Sequence, residues 1–374
     1  MRCLLPAIVI GVMDNTVIYL IPLLIGAMVG DRGFTEQAAG FMASADLAGY
    51  AVATVGTAIA LDRMSWKRMA LGGVGLMVAA NIGTTFVFDR ELFSLIRFGS
   101  GLGGGVLAAL ATVSLGRTDK PDRNYGVLFA ATLLFGTAGL WGLRFLLERY
   151  KLNGAYFLIA LLALLTSPAA ASLPEGRVTE AGVPPAAPRK AWLLASVVLF
   201  SILVFWTEQN AVYAYLERIG NAAGLSSRYI GFGLGLANLT GFAGASLVAW
   251  LGTRYGRTMP LLVGTALQLG CFGLRAGGLS AATYIGGIGL LALAWNAMNP
   301  YLLGALAKVD ASGKALAAAA TAMGVGLAIG PAAVALVVGG AGGGYAAIMW
   351  LSGALAVLST ALMLAPLCAP APAL

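Results

Sequence analysis

The sequence predicts an all-α polytopic membrane protein of 12 transmembrane helices in two pseudo-symmetric six-helix bundles. Three observations carry this expectation. Of 374 residues, 59% are hydrophobic and 10% charged, with a mean hydropathy of +0.87, far too little charged surface to keep a chain of this size in solution. Apolar stretches of about 20 residues recur, each matching the roughly 30 Å hydrocarbon thickness of a bilayer. The 52 glycines suit helices that pack backbone to backbone in lipid.

Taken in order, spans are expected at 3–29, 36–61, 68–88, 91–116, 124–147, 154–173, 191–216, 227–251, 258–279, 281–307, 314–340 and 343–366. The first is too long, and lacks the small-residue cleavage site, for a cleavable signal peptide. An even number of spans puts both termini on one side. Loops at 62–68, 117–123, 174–190, 252–257 and 308–314 hold most of the bases, while the opposite loops carry mainly Arg32, Arg90, Arg149, Lys151, Arg218 and Arg228. The positive-inside rule then places both termini in the cytoplasm, with the chain multi-pass in a bacterial-type cytoplasmic (inner) membrane. The same distribution explains the +8 formal charge without nucleic acid.

The stretch PEGRVTEAGVPPAAPRK at 174–190 is the longest polar run and divides the chain nearly in half. It reads as a cytoplasmic linker between bundles at 1–173 and 191–374. The halves echo each other: ALDRMSWKRMAL (60–71) follows span 2 and WLGTRYGRTMPL (250–261) follows span 8. Span 5 holds GTAGLWG (136–142) and span 11 holds GVGLAIGPAA (324–333). Parallel halves of this kind suggest a transporter with its site between them near the bilayer midplane.

These stretches resemble the major facilitator superfamily across the whole chain. DRMSWKRM is similar to that family's loop signature at Asp62, Arg63, Lys67 and Arg68, with Ser65 in place of the usual glycine. The second copy matches at Arg254, Gly256 and Arg257, with Thr253 in place of the acid. The resemblance implies that these residues gate the cytoplasmic side by ion pairing and helix capping. RFGSGLGGG (97–105) resembles the family's Arg-x-x-x-Gly motif, which makes Arg97 a membrane-embedded arginine. MDNTVIYLIP (13–22) resembles the span 1 motif of its drug and metabolite exporters at Asp14, Thr16 and Pro22, whereas the exporters' span 5 Gly-Pro signature is missing from GTAGLWG. The resemblance further implies a cavity lined by spans 1, 4, 7 and 10.

An ionisable side chain at mid-bilayer costs about 2.5–3.5 kcal/mol on insertion scales, so it must be paired, hydrated or functional. Asp14 lies roughly 16 Å from the cytoplasmic start of span 1, and Arg97 about 9 Å in from the outer face. Their depths differ by only about 5 Å in a ~30 Å core. An Asp14–Arg97 ion pair, broken by protonation or by substrate, is therefore expected. Asp46 in span 2 either shares Arg97 or bonds a neighbouring helix. Glu208 in span 7 is a second proton carrier, a contact for a cationic substrate, or an acid reaching back to the outer interface. The proton-coupling candidates are thus Asp14, Arg97, Asp46 and Glu208.

Substrate contacts are expected from Asn15, Arg97, Arg144, Trp206, Gln209, Tyr213, Trp295, Asn296 and Asn299, whose amides, aromatic faces and guanidinium groups suit a small organic solute. Trp66, Trp192, Trp250 and Trp350 fall near span ends and read as an interfacial belt. Histidine is absent, and Cys3, Cys271 and Cys368 have no metal spacing, so neither a metal nor a cofactor is expected. ASGKAL (311–316) lacks the context of a phosphate loop, and nothing resembles a nucleophile–base pair; an enzyme is not expected. The function expected is that of a secondary transporter, a monomer exchanging with the lipid bilayer, protons and a small amphipathic organic solute. The span 1 motif slightly favours export, and the missing span 5 motif leaves uptake open. An organic anion held by Arg97 and Arg144 is the competing substrate class, and a transport-inactive membrane receptor or assembly factor the competing function.

Overall fold

The computed structural model describes residues 4–61, 63–116, 121–173, 189–273, 280–309, 314–339 and 344–368. Among them every regular element is an α-helix. Lipid offers no partner to a free N–H or C=O, and a helix satisfies both within its own segment. In chain order the helices are α1 (Leu4–Arg32), α2 (Glu36–Ala60), α3 (Trp66–Thr84), α4 (Arg90–Gly116), α5 (Pro121–Leu165), α6 (Ser167–Ala171), α7 (Arg189–Ala222), α8 (Ser227–Leu251), α9 (Thr258–Gly273), α10 (Ala281–Val309), α11 (Lys314–Gly339) and α12 (Gly344–Cys368). Nine segments among the described residues are long and apolar enough to cross a bilayer. The all-α polytopic class is what the sequence predicts.

The predicted spans 5 and 6 differ in how they join. α5 has 45 residues, roughly 68 Å at 1.5 Å per residue and about twice a ~30 Å core. It breaks at one non-helical residue, Lys151 (φ 57°, ψ −161°), rather than across a loop at 148–153. Gly154 allows the tight approach, because a β-carbon there would lie 2.5 Å from Tyr150 Cβ. The end of α1 holds the break in place. Lys151 Nζ lies 3.9 Å from Asp31 Oδ1, and Arg32 donates to Asn153 Oδ1 at 2.5 Å and to the Thr85 carbonyl at 2.9 Å.

The chain divides into two compact units, Met1–Glu180 and Ala181–Leu374. In the first, α2 packs most extensively on α4, followed by α3 on α4 and α1 on α5; in the second, α8 packs on α10, α7 on α11 and α7 on α12. The pairs α2/α4 and α8/α10 correspond, as do α1/α5 and α7/α11. The internal repeat seen in the sequence is therefore also a repeat of helix packing within each unit. Glycine makes these contacts close. A β-carbon on Gly101 would lie 1.7 Å from the Asp46 carbonyl oxygen, and one on Gly105 would lie 2.2 Å from that of Tyr50. On α8, Gly244 meets the Leu293 carbonyl of α10 in the same way, at 2.3 Å. Lipid supplies no hydrophobic drive between helices, so backbone-to-backbone packing of this kind is what holds them. Buried hydroxyl pairs add to it in the second unit, with Ser201 Oγ donating to the Ser359 carbonyl at 2.8 Å and Thr265 and Thr360 hydroxyls 2.6 Å apart.

The aromatic belt needs one correction. Trp192, Trp250 and Trp350 are exposed, but Trp66 is 0% exposed and its Nε1 donates to the Leu61 carbonyl at 3.2 Å. It folds the loop after α2 back onto α3 instead of facing the interface. The loop after α8 uses different chemistry. Gly256 has φ +67°, a conformation that costs any other residue, and the Tyr301 hydroxyl of α10 donates to the Gly252 carbonyl at 2.8 Å. Ser65, at the position equivalent to Gly256, has φ −66° and ψ 126°. The first loop is extended there, so it has no need of glycine.

Candidate functional site

In the first unit, Arg97 is 1% exposed and its guanidinium is almost fully committed. Nε donates to Asp46 Oδ2 at 3.1 Å, and Nη2 donates to the same oxygen and to Ser100 Oγ, the latter at 3.1 Å. Nη1 donates to Asn81 Oδ1 at 2.9 Å, and the Tyr156 ring lies 4.7 Å from the guanidinium carbon. Asn81 is itself pinned, its Nδ2 donating to the Met77 carbonyl at 2.8 Å and to Ser100 Oγ at 3.2 Å. Four helices, α2 to α5, thus converge on one cation.

The expected Asp14–Arg97 pair is not formed; among the described residues the ion partner of Arg97 is Asp46. Depth along the bilayer normal was the wrong coordinate, because it ignored lateral packing. Gly101, one turn beyond Arg97 on α4, lets the backbone of α2 come into contact at Asp46 itself, so the Asp46 carboxylate reaches the guanidinium first. Asp14, 4% exposed, instead accepts from Asn15 Nδ2 and lies within hydrogen-bonding reach of the Tyr50 hydroxyl. Asn15 also donates to the Gly11 carbonyl at 2.9 Å, which orients its amide towards the carboxylate. Thr16, the third residue of the span 1 motif, has a side chain outside the described residues.

Arg144 does not join this network. Its Nε lies 3.9 Å from Glu148 Oε1 on the next turn of α5, and its guanidinium carbon lies 4.5 Å from the Phe145 ring centre. Arg63, Lys67 and Arg68 are exposed, and Asp62, the acid of their motif, lies outside the described residues. Arg254 stacks 5.9 Å from the Trp250 ring centre, and Arg257 lies against α10 at Gly304.

The second unit gathers a different set. Trp206, Gln209 and Tyr213 stand at i, i+3 and i+7 of α7 and therefore share one face. Trp295 of α10 meets that face edge-on, with ring centres 5.5 Å from Trp206 and 6.0 Å from Tyr213. Gln209 Nε2 donates to Glu208 Oε2 at 2.7 Å, which ties the carboxylate to this face. Glu208 is 0% exposed, so it does not reach back to the outer interface. Among the described residues, buried atoms of α7 and α10 lack hydrogen-bond partners: Glu208 Oε1, Gln209 Oε1, Trp206 Nε1 and, one turn along α10 from Trp295, Asn299 Oδ1. Unsatisfied groups buried in a helix bundle are costly, and a water or a bound solute would satisfy them. Asn296 faces α8 instead, donating to the Ala292 carbonyl at 2.9 Å and abutting Gly241.

Four network residues were not singled out from the sequence: Tyr50, Asn81, Ser100 and Tyr156. Asn81 carried a signal, being a lone amide inside the apolar run of α3. Tyr50 stands one turn from Asp46, which also pointed to it. Ser100 and Tyr156 are ordinary residues in a membrane helix, and only the fold brings them to Arg97.

Comparison with known proteins agrees with this architecture. A crystal structure of a D-xylose-proton symporter superposes with a TM-score of 0.75 at 14% identity, over 97% of this chain and 96% of that one. One of the nucleoside transporter NupG gives a TM-score of 0.76 at 13% identity, over 99% of this chain and 100% of that one. Likeness at such low identity shows a shared fold. No curated protein matches the chain by sequence. The model of the Major Facilitator Superfamily matches residues 4–298, and the chain belongs to that family.

Proposed function

We propose that the chain is a proton-coupled secondary transporter that moves a small amphipathic organic solute by alternating access, in the export direction. It works as a monomer in a bacterial-type cytoplasmic membrane, with both termini cytoplasmic. One observation carries the choice of solute. Arg97, the cation that an organic anion would need, spends four donor contacts on Asp46, Asn81 and Ser100. Arg144 Nε has no hydrogen-bond partner among the described residues, but it faces the Glu148 carboxylate on its own helix at 3.9 Å, which offsets its charge. By contrast, Gln209, Glu208, Trp206 and Asn299 keep unsatisfied polar atoms around the ring cluster of Trp206, Tyr213 and Trp295. An apolar or aromatic body with one or two polar groups matches that mixture.

Asp14, Asp46 with Arg97, and Glu208 are the proton-linked groups in this reading. Export rests on the span 1 motif at Asp14 and Pro22. The loop bases Arg63, Lys67, Arg68, Arg254 and Arg257, with Asp62, serve as the cytoplasmic gate.

A thermal-shift screen of purified wild type and Asp14→Asn tests the proposal. The ligands are amphipathic cations, neutral drugs, aromatic acids, amino acids and sugars, at about pH 5.5 and about pH 7.5, both above the ordinary carboxylate range, so that pH dependence between them reports a buried carboxyl. The expected hit is an amphipathic cation or neutral drug whose stabilisation depends on pH in wild type and not in the variant. Stabilisation by aromatic acids would restore the organic-anion reading. No ligand binding to a cooperatively folding protein would favour a transport-inactive receptor.

A further inference from the structure

Two small cavities follow α1 through the first unit, and Asp46 is a wall of both. One is lined by Asp14, Asp46, Tyr50, Ser100 and Gly104 within an otherwise apolar wall. The other lies further along α1 and brings Asp46, Arg97 and Tyr156 together with apolar side chains. Each has room for about one water, which needs roughly two to four polar partners to be stable in such a place.

The charges around these cavities do not balance. Asp14 and Asp46 contribute two negative charges and Arg97 one positive, leaving one negative charge in a buried setting. Other titratable groups facing them are tyrosines: Tyr19 and Tyr50 beside Asp14, and Tyr156 beside Asp46 and Arg97. Arg32, which acts on Tyr156, bonds to Thr85 and Asn153 instead. A single buried charge without a partner is expensive in a membrane. One proton removes it.

We infer that Asp14 and Asp46 hold one proton between them through a water in the shared cavity, and that protonation of Asp46, rather than of Asp14, is what neutralises the anion facing Arg97. At rest the proton is on Asp14, which has no cation beside it among the described residues, and the negative charge is on Asp46 opposite Arg97. In transfer, the Asp14 O–H gives its proton to the water, and the water gives one of its own to the Asp46 carboxylate. Asp14 is left ionised, Asp46 neutral and the water unchanged. Arg97 keeps Asn81, Ser100 and the Tyr156 face and still has the neutral Asp46 carboxyl as an acceptor, so it stays in place while the balancing charge sits on Asp14. The negative charge has then moved from α2 to α1. This deepens the proton-coupled reading above by naming the residue that senses the proton.

The test is infrared difference spectroscopy across a pH titration of the full chain in liposomes without solute. Asp14→Asn and Asp46→Asn should each abolish the same protonated-carboxyl band, because either substitution leaves one carboxylate balanced by Arg97. Survival of the Asp14 band in Asp46→Asn would overturn the inference, since the carboxylates would then titrate independently. Gly104→Ala probes the water. Its β-carbon enters the cavity 3.7 Å from the Tyr50 ring and 4.0 Å from the Asp14 carbonyl, without a clash. Hydrogen–deuterium exchange of the band should slow several-fold in Gly104→Ala but not in Gly99→Ala, whose added carbon meets only Leu76 at 3.9 Å. Wild-type exchange in Gly104→Ala would count against a water link. Because the spectra need no solute, they separate the two ideas. A shared band with pH-independent solute flux sinks only the coupled-transport reading, and independent bands with proton-driven flux sink only the relay.

Discussion

Replacing Gly101 with alanine should force α2 away from α4. The new β-carbon would lie 1.7 Å from the Asp46 carbonyl oxygen, 2.7 Å from its carbon and 2.9 Å from the Tyr50 nitrogen. All three are backbone atoms of α2, so no change of rotamer relieves the overlap. Restoring an ordinary contact of about 3.4 Å means parting the helices by roughly 1.7 Å, and a gap of 0.5–1 Å already forfeits about a quarter to a half of each contact's attraction. The approaches at Gly49 and Gly105, with β positions 2.1 Å and 2.2 Å from α4 and α2 carbonyl oxygens, would open as well. Overpacking costs about 1–3 kcal/mol and occasionally more, and a backbone-on-backbone overlap belongs at the upper end. Alanine returns about 1 kcal/mol of helix propensity. The net loss should be about 2 kcal/mol, read as a shift of the equilibrium unfolding curve in mixed detergent micelles. Gly104→Ala, three residues on and meeting nothing closer than 3.7 Å, should stay within about 0.5 kcal/mol of wild type. Equal curves for the two variants would refute the claim that glycine contact sets the α2–α4 distance.

The other predictions use the same unfolding assay or ligand binding. Asp46→Ala leaves Arg97 buried without its anion and should cost about 3–5 kcal/mol. Asp46→Asn, which keeps an acceptor for the guanidinium, should cost less than half as much. Tyr301→Phe removes the bond to Gly252 and should cost about 1 kcal/mol, while Gly256→Ala, at φ +67°, should cost about 1–2 kcal/mol. Gln209→Ala should weaken binding of any solute found in the thermal-shift screen by roughly tenfold, the equivalent of about 1.4 kcal/mol, as measured by titration calorimetry.

Much of the fold was legible because lipid allows few solutions. Hydropathy and length located the helices, and the repeated basic loops exposed the two halves. The cluster of Trp206, Gln209, Tyr213 and Trp295 was also within reach, since three of its members share a helical face and the fourth sits on α10, which packs on α7 in the same unit. Pairings across helices were harder. Sequence position gives depth, and depth alone could not choose between Asp14 and Asp46 as the partner of Arg97. The glycines at 49, 101 and 105 contained the missing lateral information, as they let α2 reach α4 at Asp46. The break at Lys151 was hidden for a different reason: it is stabilised by Asp31 and Arg32, residues far away in the chain. Trp66 was misread because a tryptophan at a span end is usually interfacial, and only its bond to Leu61 shows that it is turned inward.

The central claim is that this chain moves an amphipathic solute and that protons drive it. The most direct measurement is solute flux in proteoliposomes under an imposed pH gradient, using a solute identified by the thermal-shift screen, for wild type and Asp14→Asn. Wild type should accumulate solute against its gradient and lose that accumulation when the proton gradient is dissipated, and the variant should show only downhill exchange. Uphill accumulation by Asp14→Asn equal to wild type, or wild-type flux indifferent to the proton gradient, would contradict it.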